Sequence, residues 1–268
     1  MRWNVSSKGK VYRAADSLVI SIPKSGRTWL RALVCSYACK RAGLEVRVDD
    51  EVLPSLGLPD VRYTHELWEH RTTRLWDRLR GKHLLAGADR TKPIVLLARD
   101  PRDVIVSLYH HMVKREHRFE GPLADFLRHP ELGLGTIIDV MNAWWSDWRE
   151  ASNVLLVRYE DCRAETVREL DRMLRHLGFG DVDGDALEAA VEYSRFENMQ
   201  RMESKGAFQS DFLQAGDTSD KDSFKVRRGK IGGYRDEMGA EELAFVEAEC
   251  ARLDPAFGYG TSPAAARS

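Results

Sequence analysis

Three short apolar runs, at 18–22, 93–98 and 154–158, interrupt an otherwise mixed chain. None alternates apolar with polar residues, which is the pattern of strands covered on both faces. Between and after them, apolar residues recur at three- and four-residue spacing. That spacing predicts helices over 28–41, 102–114, 133–150, 166–177, 185–193 and 240–253. Pro101 breaks the chain just before the second helix, and Gly178 closes the fourth as a C-terminal glycine. Strands alternating with helices predict an α/β fold: one domain with a mostly parallel central sheet flanked by helices. No stretch reads as an internal repeat or as a linker long enough to divide the chain. Residues 204–223, rich in Ser, Gly, Asp and Lys, read as a mobile lid, and 258–268 as a flexible tail.

Composition narrows the classes. The 268 residues suffice for one large domain with a core. The 41 Lys and Arg nearly cancel the 42 Asp and Glu, so no global charge draws the chain to nucleic acid or a membrane. An anion site must come from local clustering. Cys35, Cys39, Cys162 and Cys250 show no disulfide framework, and no further ligands at metal spacing accompany them; they read as buried thiols. The first 16 residues lack the apolar core of a signal peptide, and no apolar run approaches the ~20 residues of a membrane span. The expected compartment is the cytoplasm.

The chemistry starts at Ile22-Pro23-Lys24-Ser25-Gly26-Arg27-Thr28-Trp29, a basic turn between a strand and a helix. Ligands of open parallel sheets bind beyond the carboxyl ends of the strands. Gly26 lets backbone approach an anion, and the helix start aims N–H groups at it. Lys24, Ser25 and Thr28 add charge and hydroxyl donors. The loop is P-loop-like, but it is shorter than Gly-x-x-x-x-Gly-Lys-Ser/Thr and its Lys precedes the Gly, so no Mg²⁺ arrangement is implied. Trp29 is placed to stack on a base. The second piece is Ala98-Arg99-Asp100-Pro101, with Ser107 eight residues beyond Arg99. Arg99 and Ser107 can close on one phosphate, by fork and by hydroxyl. Each piece alone also fits a capped surface loop or a solvated arginine.

Together these segments resemble the cytosolic-type sulfotransferases. "PKSGRTW" is similar to that family's Pro-Lys-Ser-Gly-Thr-Thr-Trp loop, and "ARDPRDVIVSLYHH" to its 3′-phosphate segment. "VRYEDC", "YSRFENMQ" and "FKVRRGKIGGYRD" resemble three further family segments, in the family's order, across residues 17–238. The resemblance implies a sulfotransferase domain using 3′-phosphoadenosine 5′-phosphosulfate (PAPS) and no metal. It implies that Lys24, Ser25, Gly26, Arg27, Thr28 and Trp29 hold the 5′-phosphosulfate, with Trp29 under the adenine. Arg99 and Ser107 take the 3′-phosphate, Arg227, Arg228 and Gly229 clamp it from the second side, and Tyr159, Phe196 and Met199 pack on the adenine side.

The family's Lys-Thr-His appears here as Tyr63-Thr64-His65, so the resemblance makes His65 the base and Lys24 the stabiliser of the leaving oxygen. Ser107 is implied to hold Lys24 aside until the acceptor arrives. His110, His111 and His117 are weaker candidates, read as a solvated helix end. Two departures bear on chemistry: Arg27 replaces a Thr, and Tyr63 replaces a Lys, which suggests that Arg27 supplies the missing cation. The acceptor pocket is expected from 54–59, 67–85, 114–134 and 204–223 with Trp144 and Trp145. Their many Arg and His residues favour a polar or glycosidic hydroxyl over a simple phenol. The family's C-terminal dimer motif is not found, which leaves a homodimer open. Two alternatives stand beside this reading: a P-loop kinase for a small molecule, and a non-catalytic protein that binds adenosine 3′,5′-bisphosphate (PAP).

Overall fold

The computed structural model describes residues 12, 14–65, 68, 91–204 and 230–260. Strand β1 (Ser17–Ser21) runs into helix α1 (Arg27–Arg41), short helix α2 (Val52–Ser55) and strand β2 (Val61–Thr64). Strand β3 (Ile94–Ala98) leads to helices α3 (Pro101–Lys114), α4 (Leu123–Leu127) and α5 (Leu134–Trp148). Strand β4 (Val154–Arg158) continues directly into α6 (Tyr159–Ala164), then α7 (Thr166–His176), α8 (Gly184–Tyr193) and α9 (Phe196–Ser204). A 3₁₀ turn at Gly233–Asp236 precedes α10 (Ala240–Cys250), and another follows at Pro255–Phe257.

The four strands form one sheet in the order β2-β1-β3-β4, and every pairing is parallel. β1 lies inside, with Leu18 in register with Arg62 on one side and Ile94 on the other. Successive side chains leave a strand on opposite faces. Leu18, Ile20, Ile94, Leu96 and Ala98 therefore join one core, with α3, α5 and α10 residues such as Ile105, Ile138, Trp144 and Val246. Val19, Val95 and Leu97 join the other, with Leu33, Tyr37, Leu170 and Leu187 from α1, α7 and α8. Burial on both faces explains the unbroken apolar runs of β1 and β3, whereas in the edge strand β4 only Val157 is buried; a fully buried Leu or Ile contributes about 1.5–3 kcal/mol.

The predicted strands and the six predicted helices form within one to three residues of their expected ends. Gly178 is left-handed at φ 91°, and the Phe179 N–H reaches back to the Leu174 carbonyl at 3.0 Å, which closes α7. All four cysteines are buried free thiols, and burial pushes those of Cys35, Cys162 and Cys250 up to about 12. The expected tail at 258–268 is corrected at its start: Tyr259 is buried and its hydroxyl donates to Glu160, so the chain is anchored there, while the rest of the tail and the expected lid beyond Ser204 lie outside the described residues. Among the described residues no helix is long and apolar enough to cross a membrane.

Candidate active site

Each strand delivers one candidate residue to the same edge of the sheet. Lys24 follows β1, His65 follows β2, Arg99 follows β3 and Tyr159 follows β4. In a parallel sheet all four carboxyl ends point the same way, so four segments distant in sequence converge without any long loop.

The loop after β1 is wound to present backbone donors. The Ser25 N–H bonds to the Ile22 carbonyl at 3.3 Å and closes a tight turn. Lys24 and Gly26 take left-handed φ values of 72° and 95°. Such successive turns form a concave nest of N–H groups suited to an anion. Gly26 is the N-cap of α1, no side chain caps it, and the first turn carries no acidic residue. The positive end of the helix dipole thus remains uncompensated by side chains. Only glycine fits at 26, because a Cβ there would lie 2.5 Å from Tyr159 Cδ2. Ser25 is buried and faces Leu97, Arg99 and Trp144 in a small space beneath the loop.

Arg99 is held from three sides. Its Nη1 donates to the Lys24 carbonyl at 3.0 Å, and its guanidinium lies 4.6 Å over the Tyr159 ring. Its Nη2 is 3.9 Å from Asp103 Oδ2, and its side chain is only 12% exposed. Its Nε is buried and finds no hydrogen-bond partner among the described residues. Ser107, half-buried, follows Asp103 by one turn on the same face of α3.

The aromatic candidates continue the site. Tyr159 is buried, stacks against Gly26 and meets Trp29 edge-on with centroids 5.8 Å apart. Trp29 Nε1 donates to the Ser194 carbonyl at 2.8 Å, which ties the start of α1 to the junction before α9. Met199 on α9 is buried in the core shared with α1. Phe196 belongs to the same helix, and its side chain lies outside the described set, as do Arg227, Arg228 and Gly229.

His65 has a fixed tautomer. Its Nδ1 lies 2.7 Å from the Ser21 carbonyl, an acceptor, so Nδ1 carries the proton and Nε2 is left as the lone-pair nitrogen. Burial lowers its pKa to about 3, helped by the charge of Arg27 and, beyond that, of Lys24 and Arg31; the Ser21 bond opposes them. The imidazole is neutral at physiological pH with its Nε2 lone pair unprotonated, while the burial and the cations that keep it so also oppose the imidazolium that proton transfer would form. Tyr63, where the resembling family has Lys, is buried against α1 with the Arg31 guanidinium 4.4 Å over its ring. Two arginines one helical turn apart, Arg27 and Arg31, thus flank the strand that carries His65.

Several residues that the sequence did not single out build this edge. Asp100 caps α3 through the Arg102 N–H at 2.9 Å, while the Arg102 guanidinium bridges Asp100 at 2.7 Å and Glu247 at 2.8 Å. Glu160 accepts the Asp100 N–H at 3.0 Å and the Tyr259 hydroxyl at 2.5 Å. Asp103 accepts the N–H groups of Gly232 and Tyr234. The acid-rich "RDPRD" and "YED" carried that signal, but partners 60 to 145 residues away do not show in local spacing. His110 departs from its expected place at a solvated helix end. It is half-buried and paired with Glu237 at 2.5 Å, which ties α3 to the turn after Tyr234. Trp144 and Trp148 are core residues, whereas Trp145 is only partly buried against Phe257.

The chain is similar to known sulfotransferases in sequence and in fold. The sulfotransferase domain model matches residues 14–253. Cytosolic sulfotransferase 13 of Arabidopsis thaliana is 27% identical over 253 residues, covering 86% of this chain and 75% of the relative. Human sulfotransferase 4A1 is 29% identical over 191 residues, covering 68% of this chain and 66% of the relative. The fold matches mouse sulfotransferase SULT7A1 complexed with PAP, at TM-score 0.58 and 18% identity over 88% of this chain and 82% of that one. It also matches retinol dehydratase in complex with androsterone and PAP, at TM-score 0.57 and 20% identity over 87% and 79%. The four-stranded parallel sheet, its basic turn and the family match together assign the chain to the sulfotransferases of the cytosolic type.

Proposed function

We propose that this transferase moves a sulfuryl group from PAPS to an acceptor hydroxyl. The observation that carries the reading is the convergence of Lys24, His65, Arg99 and Tyr159 at the four strand ends, with the Arg99 guanidinium oriented by the Lys24 carbonyl, the Tyr159 ring and Asp103. The nest at Lys24–Gly26 and the start of α1 suit the 5′-phosphosulfate, and Arg99 with Ser107 suits the 3′-phosphate. Tyr159 and Trp29 offer aromatic surface for the adenine. The PAP named with two solved relatives of this fold supports the same donor.

The chemistry follows from where charge moves. His65 Nε2 takes the acceptor's O–H proton as the acceptor oxygen attacks sulfur. In line with that attack, the bond between sulfur and the bridging 5′-phosphate oxygen breaks. The electron pair stays on the phosphate, and Lys24 with the loop N–H groups stabilises it. PAP and the sulfated acceptor remain, and the proton is on His65. Ser107 takes the part of holding Lys24 until the acceptor is in place.

The acceptor class that fits is a polar or glycosidic hydroxyl. Arg31 (buried, on Asp50 at 3.3 Å), Arg62 (on Asp60 at 2.7 Å) and Arg27, whose charge acts on His65, make the His65 flank polar rather than phenol-like. The cytosolic sulfotransferases that the chain is similar to support action in the cytoplasm. The reading is tested by following PAP release from PAPS over acceptors paired by charge and by phenolic or sugar hydroxyl. Release that depends on a sugar or anionic hydroxyl acceptor, and that Lys24→Ala lowers by about 10²–10³, is expected. Transfer from ATP in place of PAPS would overturn it.

A further inference from the structure

Asp103 is one of the most enclosed carboxylates of the fold, with its side chain only 3% exposed. Nothing in the proposed chemistry uses it. Its two oxygens nonetheless close on three donors from two separate parts of the chain. Oδ2 accepts the Gly232 N–H at 2.8 Å, Oδ1 accepts the Tyr234 N–H at 3.1 Å, and Arg99 Nη2 lies 3.9 Å from Oδ2. The turn thus captured is reached from Arg227, Arg228 and Gly229, the last only three residues before Gly232 in sequence. Gly232 itself is left-handed at φ 72°, a conformation held in place by the hydrogen bonds that the Gly232 and Tyr234 N–H groups donate to Asp103.

The neighbours of Asp103 reinforce the same junction. Arg102 lies 5.0 Å over the Tyr234 ring, and His110 on the next turns of α3 pairs with Glu237. Helix α3 therefore grips the 232–237 turn at three points. Only Asp103 also faces Arg99, the candidate ligand of the 3′-phosphate.

We propose that Asp103 is a positioning residue for recognition of a nucleotide 3′-phosphate. Its carboxylate fixes the direction of the Arg99 guanidinium and the place of the 232–234 turn as one unit, so the donor's 3′-phosphate meets a preformed site. The 5′ side of the donor site, built on Lys24–Thr28, makes no direct hydrogen bond or ion pair with Asp103 among the described residues; it is reached through Arg99, whose Nη1 donates to the Lys24 backbone carbonyl and not to a Lys24 side-chain group. The proposal rests on the PAPS reading, and it predicts a selective defect. Asp103→Asn keeps one acceptor oxygen but replaces the other with an amide that repels a backbone N–H.

The test is titration calorimetry of the full-length protein with PAP and with adenosine 5′-monophosphate, which lacks the 3′-phosphate. Wild type should bind PAP far more tightly. Asp103→Asn should weaken PAP about tenfold to a hundredfold and leave the monophosphate within about twofold. In an Arg99→Ala background the same change should cost much less, because the guanidinium it orients is gone. Asp103→Glu, which keeps the charge but moves it by a methylene, should fall between, and it serves if the Asn variant does not fold. Equal weakening of both nucleotides, or no weakening of PAP, would overturn the proposal. A wild type that does not discriminate between the nucleotides would instead sink the donor reading on which it rests.

Discussion

At the residue scale the site depends on groups held away from their ordinary behaviour. His65 illustrates this best. Its pKa lies near 3 because burial and the charge of Arg27 disfavour the imidazolium. The base should therefore stay neutral well below pH 6.5, and kcat/KM for the acceptor should show no acid limb near 6.5. A pH–rate profile that falls with an apparent pKa near 6.5 would contradict this. The same shift sets a stability trend. Between about 3 and 6.5 the unfolded chain binds a proton at this histidine and the folded chain does not, so the contribution is complete above about 6.5 and is lost as pH falls toward 3. His65→Gln should flatten that part of the stability-versus-pH curve, read by urea unfolding at several pH values.

Gly26 is the second residue with a sharp expectation. A methyl there meets Tyr159 at 2.5 Å, and the backbone is left-handed at φ 95°. Gly26→Ala should cost about 1–2 kcal/mol from the backbone alone, and more from displacing the Tyr159 ring. Loss of PAP affinity together with a lowered Tm is the expected outcome; unchanged binding would mean that the ring does not set the loop. Lys24, Arg99 and Ser107 were legible in the sequence because each sits at a fixed offset from a strand end or a proline. Asp103, Ser194 and Glu160 were not, because their partners at Gly232, Trp29 and Tyr259 come from other parts of the chain. At the Lys-to-Tyr departure the sequence suggested Arg27 as the cation, and the structure adds Arg31, which it did not suggest. Arg31 covers Tyr63, while Arg27 acts on His65 through its charge.

At the element scale, the strong periodicities were legible and the short elements were not. β1, β3 and β4 announced themselves as apolar runs, and α7 by its clean apolar stripe and closing glycine. β2 is an edge strand of four residues that carries Arg62, so its pattern reads only weakly. α6 starts on the last strand residue's neighbour without a breaker, and nothing local separates the two. Helix α3 was legible, but its fastening was not. Asp100 caps it and pairs with Arg102, whose side chain is 4% exposed. Asp100→Ala removes the cap and strips a partner from a buried cation. Urea unfolding should show a loss of about 3 kcal/mol or more. A loss under about 1 kcal/mol would mean that Glu247 and the Tyr259 carbonyl hold Arg102 unaided.

At the scale of the whole molecule, function follows from the parallel sheet. Every strand ends on the same edge, so one loop, one histidine, one arginine and one tyrosine meet there from residues 24, 65, 99 and 159. Two cores clamp the sheet, and the helices that pack them also hold the site. α1 brings the nest and Trp29, and α3 brings Asp103 and Ser107. The central claim is that this edge is a PAPS site for sulfuryl transfer, and donor binding tests it most directly. Titration calorimetry should be run with PAP and with ATP, each with and without Mg²⁺, on wild type and Arg99→Ala. The account predicts tight binding of PAP without metal, weak binding of ATP, and a loss of at least about tenfold for PAP in the Arg99 variant. Preference for ATP, or binding that requires Mg²⁺, would contradict it and return the site to a phosphoryl-transfer reading.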